Sequence, residues 1–294
     1  LPCRRRNTGS TASSPITLVA ITKKKHRMKY EILIVNDSSA GEMMDKCYNF
    51  SYNIHSYRDY ITEHKKFPSE KPPIWIKLYN EKEFNSINDF VHSLQDFIVN
   101  DKVKTILQKH KLPNHDFVPA EVYRKEKTLF SKKLVRYDYH WFNFDCKHIS
   151  DYYDDIDFSK SEITFSKNEA VIDLKINSIS DLYTIINSNQ SISAKINELY
   201  KIHPNNNSLI NEIIKEKDLF GVSWRAEKIV LKESFDKELD LFSLPMFSSR
   251  TYISPRLKEA LLLENVSDIA FKETGNNPNP RHVLNPKIVF SDSH

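Results

Sequence analysis

The densest set of side chains able to do chemistry lies at 151–162. There Asp151, Asp154, Asp155 and Asp157 lead into Ser159, Ser161 and Glu162, with Tyr153, Ile156 and Phe158 interleaved. Asp155, Asp157 and Ser159 repeat the spacing of calcium ligands at positions 1, 3 and 5 of an EF-hand loop, but Lys160 stands where that loop needs Gly and Ser166 where it needs Glu. Calcium is therefore not the expected occupant. The composition predicts an exposed acidic loop whose Asp and Ser residues close turns while Tyr153, Ile156 and Phe158 pack beneath. A surface of that charge also suits a basic partner, for which it would steer docking. Asp151, Tyr153, Asp154, Asp155 and Asp157 are the candidate partner-binding residues.

Other constellations are thinner. Cys146 and His148, with His140 nearby, have a ligand-like spacing, yet Cys-x-His at a strand end puts both residues on one face of any β-protein. A plain buried thiol is the expectation, and no metal is assigned. The sequence contains no G-x-S-x-G and no H-E-x-x-H. With four glycines in 294 residues it has neither G-x-G-x-x-G nor G-x-x-x-x-G-K-[ST], so nucleotide binding through those cradles is excluded. No catalytic residue and no cofactor is assigned. His92, His110 and His115 are scattered and expected at the surface. Arg124, Lys125, Lys127, Lys132, Lys133 and Arg136 cluster around one loop, a charge run of the size usually found on a solvated face; read functionally, it is the feature of a nucleic-acid-associated factor.

The elements that must position these residues follow from capping and periodicity. Residues 250–253 read as a short strand, Ser254 as an N-cap, and Pro255 as the first helical residue, where its missing N–H costs nothing. Leu257, Ala260 and Leu261 give the helix one apolar face, and residues 267–272 read as a returning strand. The same order occurs earlier, with Val99 matching Ile253, Asn100 matching Ser254, Lys102 matching Arg256, Val103 matching Leu257 and Leu107 matching Leu261, at an offset of 154 residues. Either the chain carries an internal strand-helix-strand duplication, or it uses a common unit twice.

Strands are further predicted at 28–35, 48–54, 74–79, 117–123, 135–145, 163–165, 170–174, 225–232 and 282–290. Trp141 lies in a strand bulky on both faces and expected at the centre of a sheet. Short helices are predicted at 57–64 and 89–95. Between 178 and 221 the period becomes helical, as an insertion made of separate helices opening near Ser180, at Ser191 or Ser193, and after Asn207. The expected fold class is α+β, with mostly antiparallel strands and segregated helices. It divides into a basic tail at 1–27, an N-terminal α/β portion at 28–96 and an α+β domain at 97–294.

The chain is 39% hydrophobic and 12% aromatic, as a folded globular protein is. Its formal charge of +4 comes from the tail, which holds seven of the 43 basic residues and no acid, leaving 36 basic against 39 acidic in the body. The tail reads as disordered, upstream-translated or artificially added, and an acidic body argues against nucleic-acid binding. Three cysteines in no C-x-x-C pair exclude a disulfide scaffold, and no apolar run reaches membrane-spanning length; a cytoplasmic location is the expectation.

Two segments together resemble a known family. Trp141-Phe142-Asn143-Phe144 leads into Asp154-Asp155-Ile156-Asp157-Phe158-Ser159-Lys160-Ser161, an aromatic strand followed by D-x-x-D-x-x-x-S. Tyr252-Ile253-Ser254-Pro255-Arg256-Leu257-Lys258-Glu259-Ala260-Leu261, followed by Val266-Ser267-Asp268-Ile269-Ala270-Phe271, matches a strand, S-x-R-L-K-E-A-L, then V-x-x-I-x-F. In this order they resemble the bacterial immunity proteins encoded beside polymorphic toxins, in the numbered immunity families eleven or forty-three. The resemblance spans 97–271, and Ser267-Asp268 replaces the usual turn glycine. It implies an α+β protein without catalytic activity that binds a cognate toxin domain and blocks it sterically. Ser254, Pro255, Arg256, Leu257 and Trp141 are its structural motif residues. The alternatives are an enzyme of unrecognised type, with His140, Cys146 or the Asp155 and Asp157 pair in a cleft, and a nucleic-acid-associated factor.

Overall fold

The computed structural model describes residues 29–35, 41–45, 53–64, 66–78, 88–93, 96–127, 131–144, 151–202, 221–248, 250–275 and 285–291. The strands are β1 (Glu31–Val35), β2 (Gly41–Asp45), β3 (Ile74–Leu78), β4 (Phe90–Ser93), β5 (Asp96–Val99), β6 (His115–Lys127), β7 (Lys132–Phe144), β8 (Glu162–Lys167), β9 (Ala170–Ile172), β10 (Val222–Leu231), β11 (Leu241–Ser243), β12 (Thr251–Ile253), β13 (Ile269–Glu273) and β14 (Lys287–Phe290). The helices are α1 (Ile54–His64), α2 (Asp101–Leu107), α3 (Ile179–Ile202) and α4 (Pro255–Leu263), with one 3-10 turn at Asp151–Asp155. This is an α+β fold whose pairings, among the described residues, are antiparallel apart from β3 with β6 and β10 with β14.

Among the described residues three sheets carry it, in the orders β11-β12-β1-β13, β14-β10-β8-β9 and β2-β3-β6-β7-β5-β4. The first is a copy of one end of the third. In the third sheet the β4–β5 hairpin leads through Asn100 into α2, and the chain returns in β6, two places from β5. In the first, β11 and β12 lead through Ser254 into α4, and the chain returns in β13, two places from β12. The intervening place is filled by β7 in one sheet and by β1, from the other end of the chain, in the other. The strand-cap-helix-strand arrangement therefore recurs in three dimensions, and the second copy is completed by a strand that precedes the first.

Both helices start for the predicted reason. Asn100 Oδ1 accepts from the Val103 N–H at 3.1 Å and Ser254 Oγ from the Leu257 N–H at 3.2 Å, with Pro255 opening α4. Val103, Ile106 and Leu107 of α2 and Leu257 and Leu261 of α4 are buried in one shared core, with Leu33, Phe90, Val99, Phe142, Leu241 and Ile253. A second core lies where α1 packs on β3, β6 and β7, around Tyr57, Ile76 and Trp141. A third joins the first sheet to the second, around Tyr30, Phe242, Tyr252, Ile229 and Phe165. As expected, β7 lies inside its sheet with bulk on both faces, sending Tyr139 and Trp141 to the second core and Phe142 to the first.

The structure corrects several local expectations. Residues 90–93 are strand rather than helix: Phe90 and Val91 feed cores on opposite faces, as the two-residue period of a strand provides. The expected strand at 48–54 lies mostly outside the described residues, and its last residue, Ile54, begins α1. α3 is one helix of 24 residues, uninterrupted at Ser191 and Ser193. Its start is fixed by Asp181, whose carboxylate accepts the N–H groups of Asn177 and Ser178 at 2.7 and 3.1 Å. The predicted helix after Asn207 lies outside the described residues. Strand pairing also crosses the division at residue 96, since β3 pairs with β6 and β1 sits between β12 and β13. At the place of the missing turn glycine, Asp268 takes a φ of 63°, the left-handed region that Asp tolerates better than most residues.

Candidate functional site

Two carboxylates that the sequence reading passed over hold the copies together. Asp89 accepts from Asn100 Nδ2 at 2.7 Å and Lys102 Nζ at 2.8 Å, on the helix of its own copy, and from the Ser267 N–H at 2.7 Å, just past the helix of the other. Asp240 does the reciprocal. It accepts from Ser254 Oγ and from Arg256 Nε at 3.1 Å in its own copy, and from the Lys111 N–H at 3.1 Å just past α2. The backbone repeats the pattern, with Asn100 N–H donating to Asp89 O at 3.2 Å and Ser254 N–H to Asp240 O at 2.9 Å. Each carboxylate thus orients one helix cap and grips the exit of the other helix.

Burial alone pushes the carboxyl pKa of Asp240 up, but the bonds from Ser254, Lys111 and His110 and the Arg256 charge outweigh it and hold the group below its ordinary value. Asp89 behaves alike, with burial overcome by Lys102, the Ser267 N–H and Asn100. A sequence signal existed, since each Asp precedes the hairpin that leads to its cap. The separations differ, however, at 11 residues for Asp89 and Asn100 and 14 for Asp240 and Ser254, so an ungapped comparison of the copies misses them.

The motif residues are accordingly scaffold. Ser254 caps α4 and donates to Asp240, and Pro255 occupies the first turn. Arg256 adds a bond from Nη2 to Glu238 O at 2.5 Å, and Leu257 is fully buried. Trp141 is buried against the Tyr57 ring, centroids 5.4 Å apart, with the Arg58 guanidinium over its face. Ser254, Asp240 and His110 resemble a nucleophile set only in composition. The carboxylate stands between the other two, with His110 Nδ1 3.1 Å from Asp240, while the serine hydroxyl is committed to Asp240 and to the helix cap. His110 is mostly covered here, against the expectation of a surface residue.

The acidic loop runs beside the end of β10, the second sheet's long strand. Its turn is pinned to β10 by Asp157 N–H to Val230 O at 2.8 Å, Lys232 N–H to Asp155 O at 2.7 Å, and the bridge between Ile156 and Leu231. Tyr153, Ile156 and Phe158 are buried beneath it as expected, and the Tyr153 hydroxyl accepts from the Met246 N–H at 3.0 Å. At 4% exposure Tyr153 has no surface for a partner, so its place is structural. Asp154 is exposed, with its carbonyl taken by Lys232 Nζ at 2.7 Å, and Asp155 accepts from Ser234 Oγ at 2.5 Å. Asp157 accepts from Ser159 Oγ at 2.6 Å, and that bond, helped by Lys160 at 3.4 Å, holds its pKa below the usual carboxylate range. Of Asp151 the backbone alone is described, opening the 3-10 turn.

His140 sits beside the helix of the first copy, Nε2 2.7 Å from Asp101 Oδ1 and 3.4 Å from Lys104 Nζ. Cys146 and His148 lie outside the described residues. Among the described residues, no three His, Cys, Asp or Glu side chains are grouped to hold a metal ion, and no helix is long and apolar enough to cross a membrane. No protein-family model matches the chain, and no curated protein matches it.

Proposed function

We propose that this protein is an immunity protein, which binds a cognate toxin domain in the cytoplasm of the producing bacterium and blocks it sterically. The observation that carries the proposal is the placement of exposed Asp154, with part-covered Asp155 and Asp157 beside it, on a turn already fixed to β10 before any partner arrives. Charge held in a preset geometry steers encounter with a basic surface and loses little side-chain freedom on docking. The resemblance of the D-x-x-D-x-x-x-S and S-x-R-L-K-E-A-L segments to immunity proteins supports the same reading. In it the reciprocal Asp89 and Asp240 clasps are the frame, and the chemistry to be stopped belongs to the partner.

The test is a calorimetric titration of the full chain against the C-terminal toxin domain encoded by the adjacent gene, with the partner's toxicity measured in parallel. One-to-one binding that abolishes toxicity is expected, weakened at least tenfold by changing Asp154, Asp155 and Asp157 together to Asn. A well-folded protein that neither binds nor protects overturns the reading.

A further inference from the structure

The basic run set aside in the sequence acquires a shape in the structure. β6 and β7 stay paired to Lys127↔Lys132, whereas β3 accompanies β6 only to Val122 and β5 accompanies β7 only over the three residues from His140 to Phe142. Five residue pairs, from Tyr123↔Arg136 outward, therefore extend past the neighbouring strands as a two-stranded ribbon roughly 17 Å long. Residues 123–136 carry Arg124, Lys125, Lys127, Lys132, Lys133 and Arg136 against the single acid Glu126, on an otherwise acidic body.

The register sorts these cations. Positions 125, 127, 132 and 136 share a face with Tyr123 and Leu134, and Lys127 stands directly opposite Lys132, a like-charge pairing that disfavours the ribbon by itself. At the base of that face lies Trp75, 37% exposed, with Tyr123 edge-on at 5.9 Å and Lys77 two residues along its strand. Arg136 is balanced by Glu121 at 3.2 Å and Asp138 at 3.3 Å, and the other basic positions that the register places on this face are the lysines at 125, 127 and 132. Lysines alone would be explained as guards against edge-to-edge pairing. An exposed indole at the foot of the ribbon is not, because a guard has no use for it.

We infer that this face binds single-stranded nucleic acid, the ribbon lysines following the phosphates and Trp75 stacking on a base. Backbone cations beside an exposed aromatic are the combination that single strands select, since every base offers a π-face. The inference is independent of the immunity reading, which uses the acidic loop on another sheet.

The experiment is fluorescence anisotropy of the full chain with a fluorescein-labelled 12-nucleotide mixed-sequence single strand, a matching duplex, and poly-L-glutamate as competitor. Binding to the single strand is expected to weaken about 100-fold between 50 and 200 mM salt, the value for about five neutralised phosphates. It should quench tryptophan fluorescence, and Trp75→Phe should remove the quench. Reversing Lys125, Lys127 and Lys132 to Glu should abolish binding while the thermal unfolding curve stays within a few degrees of the parent. Because three reversals alter the ribbon, Trp75→Ala is the second probe, with an expected loss of about tenfold. The inference is overturned by absence of binding at 50 mM salt, by binding indifferent to both variants, or by tighter binding to the duplex. It is equally overturned if poly-L-glutamate competes as well as the oligonucleotide without a quench, which would assign the ribbon to an acidic protein surface.

Discussion

Removing the Asp240 carboxylate should unlock both copies of the repeat at once. In Asp240→Ala the Ser254 hydroxyl loses its acceptor in a fully buried position, and the Lys111 N–H past α2 loses its own. The stranded Ser254 hydroxyl costs about 1–3 kcal/mol and the Lys111 N–H, on an exposed residue, less, while Arg256 and His110 lose a carboxylate that is itself only 4% exposed. The sum is about 4 kcal/mol, in the range seen when one member of a buried charged network is deleted. Urea unfolding at pH 7, followed by circular dichroism, measures it. A double-mutant cycle with Ser254→Ala should give a coupling of about 1–2 kcal/mol, because both changes remove the same bond.

The pH dependence has a definite sign. The folded pKa of Asp240 is depressed, so its contribution is complete above the unfolded value of about 3.9 and disappears as pH falls through the folded one. The gap between wild type and Asp240→Asn should therefore close as acid is added below about 4. A loss under about 1 kcal/mol for Asp240→Ala, or no coupling to Ser254, would refute the clasp.

The reciprocal variant, Asp89→Ala, should cost somewhat less, about 2–3 kcal/mol, since its partner Lys102 is 38% exposed and can turn to water; the same urea series reads it. Trp141→Ala empties the core under α1 and should cost about 3–5 kcal/mol, with loss of the near-ultraviolet dichroism of the packed indole. Tyr153→Phe removes one hydrogen bond to the Met246 N–H and should cost about 1 kcal/mol while leaving partner affinity unchanged; a change in affinity without a change in stability would return Tyr153 to the surface. The Asn variants at Asp154, Asp155 and Asp157 should slow association with a basic toxin more than they hasten dissociation, and most at low salt, as stopped-flow mixing at two ionic strengths would show.

Local chemistry was legible wherever a few neighbouring residues decide the outcome. Ser254 with Pro255, and Asn100 with Asp101, announce helix starts because a cap is satisfied within three residues of itself. The turn at Asn168 and Glu169, both at positive φ, followed from four polar residues between two apolar runs. The acidic loop was likewise legible, down to the three side chains that pack beneath it. Residues 90–93 were misread because their strand form is set by cores on both faces, which appear only once β5 and α2 are in place. α3 was divided because serine favours caps in isolation, whereas Leu182 and Ile185 anchor the helix in the core between the first and second sheets.

By itself the sequence determined the α+β class, the two caps, the amphipathic helices behind them and the charged runs at 124–136 and 151–162. The tertiary structure decided that the two cap-helix units form matching sheets, that β1 completes the later copy, and that Asp89 and Asp240 each grip both copies. The physical reason is range. Caps, turns and periodicity act within one turn or one strand, while the bond from Ser267 to Asp89 joins residues 178 apart and exists only after both sheets have formed.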